Sequence, residues 1–323
     1  MADIPHFSLS DGTMIPSVGL GCWMGVPGGA ERVYEMCRKA IIVGYRHFDT
    51  ASGYANEKEV GRAIRDSGIP RSEFYITTKL GGDHHRVKEA FQDSLDKLGC
   101  EYIDLYLMHW PQANEPDTAN VLPPEASPTI VDTWKDMEKL LGSGATSRGK
   151  IKSLGVSNFS IKTLEQLLPH CSIRPTVNQV ELHPFLPQHA LKAFCEAQGI
   201  LLTAYSPLGR PAGPDQAISI FNNTMVKELA GKLNVEIGQL LLSWGVQRKT
   251  AVIPKTENEP RMKQNLNLVQ LSDADMKVLD DIHREPGSHR TLCHIDPSRT
   301  GGVVFGWTYE QLGWDLVKGG IVP

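Results

Sequence analysis

Short apolar runs alternate along the chain with longer segments in which apolar residues recur every three or four positions. Between residues 30 and 42 the apolar positions have the spacing of a helix that buries one face, and the run 45–48 after it has the length of a strand. Further strands are predicted at 74–78, 103–108, 151–156, 176–181, 200–204 and 251–254, with a short eighth strand at 266–271. Further helices are predicted at 58–65, 87–98, 130–141, 161–168, 188–198, 236–248 and 274–283. Strands that alternate with helices predict a parallel sheet.

The first residues have a different pattern. Residues 7–10 and 14–15 form two short apolar stretches around Asp11-Gly12, which predicts a β-hairpin, and 19–23 is a turn flanked by glycines. We find no linker and no low-complexity tract, and a barrel of about 250 residues with insertions accounts for the length. The expected fold is therefore a single (β/α)8 barrel over residues 1–323, with an N-terminal hairpin and long loops at the carboxyl ends of its strands.

Chemically active side chains follow three successive predicted strands. Asp49 and Tyr54 follow the first, Lys79 the second and His109 the third. Each alone is more often a helix cap, a solvated charge or a core residue, but in a barrel the carboxyl ends of the strands meet at the face that carries active sites. A tyrosine has a pKa of about 10, and a neighbouring ammonium lowers it by favouring the phenolate. We therefore expect Lys79, held by Asp49, to tune Tyr54 as a general acid while His109 orients a carbonyl oxygen.

Four sequence blocks carry a resemblance to a known family. Residues 44–61 read G-Y-R-H-F-D-T-A-S-G-Y-A-N-E-K-E-V-G, and L-G-V-S-N-F (154–159), V-N-Q-V-E-L-H-P (177–184) and I-P-K-T (253–256) follow in order. These blocks resemble the signatures of the aldo-keto reductases over nearly the whole chain, and Asp49, Tyr54, Lys79 and His109 match that family's catalytic tetrad. The resemblance implies reduction of a carbonyl compound by a nicotinamide cofactor, with reversible alcohol oxidation.

A Rossmann fold is disfavoured as the cofactor site, because no G-x-G-x-x-G follows the first strand. Ser157, Asn158 and Gln179 offer polar groups suited to a nicotinamide carboxamide, and Tyr205 offers a flat face for stacking. By resemblance, Ser206 and Leu208 belong to a segment that lines the pyrophosphate. Arg210 is either a further phosphate or lid contact or a solvated charge.

The segment after the predicted seventh strand bears on the choice of dinucleotide. Lys255, Thr256 and Arg261 are expected to converge on a 2′-phosphate, which favours NADPH. Glu257 and Glu259 leave NADH use open, since a carboxylate there accepts ribose hydroxyls equally well. Two further residues are expected at the adenine edge, Gln264 and Asn265.

Aromatic residues are expected to form the substrate pocket. By resemblance Trp23 lines it, together with Trp110. The proline-rich loop after His109 and the tail with Phe305, Trp307 and Trp314 are expected near the barrel mouth. Loop and tail look like those of fungal glycerol dehydrogenases and glyceraldehyde and sugar-aldehyde reductases. We expect short polyhydroxylated aldehydes as substrates, with aromatic aldehydes accepted, while uronates and pentoses remain candidates.

Composition narrows the remaining classes of function. A formal net charge of −4 favours neither nucleic acid nor a membrane surface as partner, and we find no secretory or membrane-spanning segment. The six cysteines lack metal or redox spacing, so we expect free thiols, no bound metal and a cytoplasmic protein, with a monomer as the family-based expectation. The alternative from another class is a nicotinamide-binding sensor or channel subunit without catalysis; a metal-dependent hydrolase would need clustered ligands that we do not find.

Overall fold

A computed structural model describes residues 4–142, 149–210, 219–293, 303–317 and 319–323. Its strands are β1 His6–Ser8, β2 Met14–Pro16, β3 Leu20–Gly21, β4 His47–Asp49, β5 Tyr75–Leu80, β6 Ile103–Met108, β7 Ile151–Ser157, β8 Val177–Glu181, β9 Leu201–Tyr205, β10 Ala251–Val252, β11 Val303–Val304 and β12 Trp307–Thr308. Its α-helices are α1 Ala30–Val43, α2 Glu57–Asp66, α3 Val87–Leu98, α4 Ile130–Leu141, α5 Ile161–Leu167, α6 His189–Ala197, α7 Thr224–Leu233, α8 Ile237–Gln247, α9 Glu259–Leu266, α10 Asp273–Asp281 and α11 Tyr309–Leu312.

Strands β3 to β10 form one parallel sheet in chain order. The sheet closes on itself, because Val18 pairs with Val252 of β10 and the amide of Gly21 donates to the carbonyl of Pro254 over 3.0 Å. Each of the helices α1 to α6 lies between two successive strands of this sheet, and α8 lies between β9 and β10. These helices bury their apolar faces. The predicted (β/α)8 barrel is confirmed.

The N-terminal hairpin pairs β1 with β2 and covers one end of the barrel. Its Ile15 is fully buried and packs, with Leu9, against inward-facing residues of the barrel strands such as Leu105 and Val177. Burial of this apolar surface stabilises the closed end. The carboxyl ends of the strands lie at the opposite end and carry the long loops.

The prediction of the eighth strand was wrong. Residues 266–271 form no strand; the eighth strand of the barrel is β3, Leu20–Gly21, where the sequence predicted only a turn. The segment 266–271 instead satisfies its backbone through α8, because Val269 N donates to Ser243 Oγ and Leu271 N donates to Gln247 Oε1, both over 3.0 Å. Helices α7 and α9 were also missing from the prediction.

Within the described residues, no helix has the length and apolar character needed to cross a membrane. The six cysteines are all free, as expected.

Candidate active site

A buried ion pair lies at the carboxyl ends of β4 and β5. Asp49 ends β4 and its Oδ1 pairs with Lys79 Nζ; the side chains are 2% and 0% exposed. Lys79 Nζ also donates to the carbonyl of Thr50 over 2.8 Å, and Asp49 Oδ2 accepts from Gln179 Nε2 over 2.6 Å. Both charges are thus compensated without water, as burial requires.

Tyr54 lies over this pair at the end of a 3₁₀ turn, Ser52–Tyr54, that follows β4. Lys79 Nζ is 5.1 Å from the centroid of the Tyr54 ring. The ring of His109, directly after β6, meets the Tyr54 ring edge-on with centroids 5.5 Å apart. The four side chains predicted from three strand ends therefore converge on one point.

The electrostatics differ from the prediction in one respect. Burial, and then the negative charge of Asp49, raises the pKa of Tyr54 well above its ordinary value, so the expected net lowering of this pKa by Lys79 was wrong. The physical reason is that Asp49 neutralises Lys79 at contact distance, which leaves desolvation of the phenolate as the larger effect. Burial, and then Lys79, lowers the pKa of His109 well below its ordinary value. At neutral pH the site therefore holds a protonated phenol beside a neutral imidazole.

The residues predicted to bind nicotinamide form one connected network. Asn158 Nδ2 donates to the carbonyl of His109 over 2.9 Å, and Asn158 Oδ1 accepts from the Tyr205 hydroxyl over 2.8 Å. Ser157 Oγ donates to the carbonyl of Gln179 over 2.8 Å. Gln179 links the network to Asp49, a contact that sequence reasoning missed.

The segment after β9 is attached to the start of the tail. Ser206 Oγ accepts from Cys293 Sγ over 3.3 Å, and burial raises the pKa of that thiol well above its ordinary value. The buried Glu181, at the end of β8, accepts from the amides of Leu292 and Cys293 over 2.6 and 3.1 Å. Leu208 is half-buried and Arg210 exposed at the end of this segment.

Two of the predicted 2′-phosphate residues, Lys255 and Thr256, lie between β10 and α9, and the third, Arg261, lies in α9. Lys255 has an unexpected partner. Lys255 Nζ donates to Glu257 Oε1 over 2.5 Å, and Arg32 of α1 binds the same carboxylate through two nitrogens over 2.5 and 2.7 Å. Arg32, first, and Lys255 lower the pKa of Glu257 to about 2. Among the described residues none binds the exposed Arg261 guanidinium. The remaining predicted residues of this region are half-buried or buried on the same segment: Thr256, Gln264 and Asn265.

Trp23 packs against the Tyr54 ring, and further aromatic rings lead from His109 to the tail. The Trp23 ring lies 4.9 Å from that of Tyr54, and Trp110 follows His109 with a ring separation of 6.4 Å. From the tail, the ring centroids of Phe305 and Trp314 lie 4.7 and 5.9 Å from that of Trp110.

Tail and loop also fasten to each other. Trp307 Nε1 donates to the carbonyl of Leu122 over 2.8 Å, and Gln112 Nε2 donates to the carbonyl of Val304 over 2.8 Å. The two segments expected at the barrel mouth therefore form one wall there. No group of three or more histidine, cysteine or acidic residues with metal-binding geometry occurs in the described part of the chain.

Comparison with known proteins agrees with this geometry. Residues 17–284 match the profile of the Aldo/keto reductase family. The chain is 40% identical to glycerol 2-dehydrogenase (NADP(+)) of Saccharomyces cerevisiae over 88% of the chain and 93% of that protein. It is 38% identical to D-galacturonate reductase of Hypocrea jecorina over 88% of the chain and 93% of the relative. A crystal structure of a Bombyx mori aldo-keto reductase in complex with NADP superposes with a TM-score of 0.81 at 32% identity, covering 93% of this chain and 98% of that one. The chain therefore belongs to the aldo/keto reductase family.

Proposed function

We propose that this protein reduces aldehydes to alcohols with NADPH and catalyses the reverse oxidation of polyols, with Tyr54 as the general acid and base. The observation that carries this proposal is the buried Lys79–Asp49 pair 5.1 Å beneath the Tyr54 ring with His109 at its edge. A proton donor must hold its proton until negative charge develops on the substrate oxygen. Burial keeps the Tyr54 phenol protonated, and Lys79 beneath the ring stabilises the phenolate that forms as the proton leaves.

The residues at the strand ends suit a nicotinamide dinucleotide. The buried amides and hydroxyl of Ser157, Asn158 and Gln179 match the donors and acceptors of a carboxamide, and the half-buried Tyr205 supports a flat ring. The exposed guanidinium of Arg261 suits a phosphate. When bound, NADPH supplies the hydride for carbonyl reduction. Glycerol 2-dehydrogenase of yeast is named for NADP(+), which supports the same preference here.

The chain's own groups handle the proton and the carbonyl oxygen. His109, neutral because burial and Lys79 disfavour its charge, donates an N–H that orients the oxygen. Tyr54 then gives up its hydroxyl proton to that oxygen. Lys79 stabilises the phenolate that remains, and Asp49, fixed by Gln179, keeps Lys79 charged.

The substrate class follows from the walls of the pocket and from the relatives. Trp23 beside the Tyr54 ring and Trp110 beside the His109 ring supply apolar surface next to polar groups, the usual mixture in small-ligand sites. Relatives are named a glycerol 2-dehydrogenase and a D-galacturonate reductase. We therefore assign short polyhydroxylated and sugar aldehydes as substrates, with aromatic aldehydes also accepted.

Initial rates test the proposal. Purified protein is supplied with NADPH and, in turn, glyceraldehyde, xylose, galacturonate and benzaldehyde, and loss of NADPH absorbance is followed. We expect turnover of glyceraldehyde and benzaldehyde, and slower rates when NADH replaces NADPH. Tight NADPH binding without turnover of any aldehyde would overturn the enzyme assignment in favour of a dinucleotide sensor.

A further inference from the structure

A cavity of about 420 Å³ lies next to the candidate active site but is lined by none of Asp49, Tyr54, Lys79 and His109. Its walls come from the turn between β7 and α5, the loop that leads into α6, the segment around His283 and His289, and the tail near Trp314. We call it the side cavity. Its volume falls within the range of small-molecule sites, which is about 300–1,000 Å³.

The walls of the side cavity are mainly apolar and partly aromatic. Phe159, Leu186 and Leu191 are buried and line it from the barrel side, and Trp314 and Leu316 line it from the tail. Apolar walls of this kind favour a ligand that brings apolar surface out of water. Rings from the tail and barrel further favour a flat aromatic ligand.

Three imidazole rings provide hydrogen-bonding groups at the side cavity. The rings of His189, His283 and His289 form a row, with centroids 5.2 and 4.9 Å apart. Burial lowers the pKa of both His283 and His289, so the rings of these two residues are neutral at physiological pH. A neutral imidazole can accept a hydrogen bond from a hydroxyl group or donate one to it.

The charged groups nearby disfavour an anion. Glu181 and Asp315 line the side cavity, and none of the described lining residues is a lysine or arginine. Arg248 reaches His189 over 3.3 Å, but its guanidinium is already paired with Asp280. A carboxylate or phosphate would therefore enter beside two acids without a counter-charge.

We propose that the side cavity is a second ligand site that takes an uncharged aromatic molecule with one hydroxyl group. Two of its wall residues, Asn158 and Tyr205, are hydrogen-bonded to each other, and Asn158 also binds the carbonyl of His109. Trp314 packs on Trp110. A ligand in the side cavity therefore contacts Asn158 and Tyr205, to which the proposed function assigns the nicotinamide, and holds them in place. That part of the inference rests on the proposed function.

Calorimetric titration with 2-naphthol tests the site without any cofactor. Ala190 lines the side cavity and is exposed on α6, so Ala190→Phe fills the mouth without disturbing the core. Ala193 is exposed on the same helix and does not line the side cavity, so Ala193→Phe is the matched control. We expect 2-naphthol to bind the natural protein and Ala193→Phe alike, and Ala190→Phe at least about tenfold more weakly. The anion 2-naphthoate should bind the natural protein more weakly than 2-naphthol.

Two results would overturn the assignment. Equal affinity of 2-naphthol for the Ala190→Phe and Ala193→Phe variants would place the molecule elsewhere, and tighter binding of 2-naphthoate would contradict the ligand class. A second titration measures NADPH affinity with and without 2-naphthol. Coupling between sites is reciprocal, so we expect a change in NADPH affinity that Ala190→Phe removes and Ala193→Phe retains. Failure of the proposed function would abolish NADPH binding or turnover but leave the first titration unchanged.

Discussion

Removing the charge of Asp49 should destabilise the whole protein, because it strands a buried ammonium. Lys79 is 0% exposed and its counter-ion is 2% exposed, so water cannot replace the lost carboxylate. Asp49→Asn keeps an oxygen that accepts from Gln179 Nε2, but its amide nitrogen then faces Lys79 Nζ, so the ammonium loses both its counter-charge and an acceptor. Breaking one side of a buried pair costs about 3–5 kcal/mol of unfolding free energy, whereas replacing both partners costs much less. We therefore expect Asp49→Asn to lose about that much, and Asp49→Asn combined with Lys79→Met to recover most of it.

Urea unfolding followed by tryptophan fluorescence measures these differences at constant pH. The exposed pair of Asp136 and Lys139, with side chains 45% and 76% exposed, supplies the control. Asp136→Asn should cost less than about 1 kcal/mol. Turnover of glyceraldehyde should be lost in both Asp49 variants, including the restabilised double variant. Equal costs of Asp49→Asn and Asp136→Asn would refute the stranded ammonium, and so would a double variant no more stable than the single one.

Three further predictions concern the cofactor segment, a helix contact and pH. Glu257→Gln should lower the KM for NADPH about two- to fivefold relative to the KM for NADH, because it releases Lys255 and Arg32, which are now paired with Glu257. An unchanged ratio of the two KM values in steady-state kinetics would contradict this. Gly61→Ala should lower the free energy of unfolding in urea by about 3 kcal/mol or more, because a Cβ there would lie 1.8 Å from the Leu98 carbonyl oxygen. The control is Gly231→Ala, which has open space around it and should raise the free energy of unfolding by about 0.5–1 kcal/mol. Burial lowers the pKa of His47 to about 4, so between about pH 6.5 and pH 4 the unfolded chain binds a proton that the folded chain does not, and stability falls as pH falls through this window. His47→Gln should reduce that acid-dependent loss in urea unfolding, and an identical loss would refute the assignment.

The fold was largely predictable because its helices are amphipathic and alternate with short strands that contain buried apolar residues. The predicted helices 87–98 and 130–141 match α3 and α4 to the residue. The failure at the eighth strand has a physical cause. Strand β3 is only two residues long and contains a glycine, so it carries no pattern, whereas 266–271 has strand-like apolar residues whose amides bind side chains of α8 instead.

The site was predictable as far as strand ends reveal it. The convergence of Asp49 and Lys79 follows from their positions after neighbouring strands. Arg32 and Glu257 are 225 positions apart, and nothing in the sequence of α1 indicates that Arg32 pairs with Glu257. The raised pKa of Tyr54 was equally out of reach, because it depends on how deeply the packed barrel buries the phenol.

Above all, we propose that the Tyr54 hydroxyl supplies the proton while its neighbours hold the site together. Tyr54→Phe removes that hydroxyl and keeps the ring that packs against Trp23 and His109. Glyceraldehyde-dependent NADPH oxidation by this variant should fall by about a hundredfold or more, the usual contribution of a general acid. NADPH affinity, measured by fluorescence titration on the same sample, should stay nearly unchanged. Retained turnover with intact NADPH binding would contradict the account.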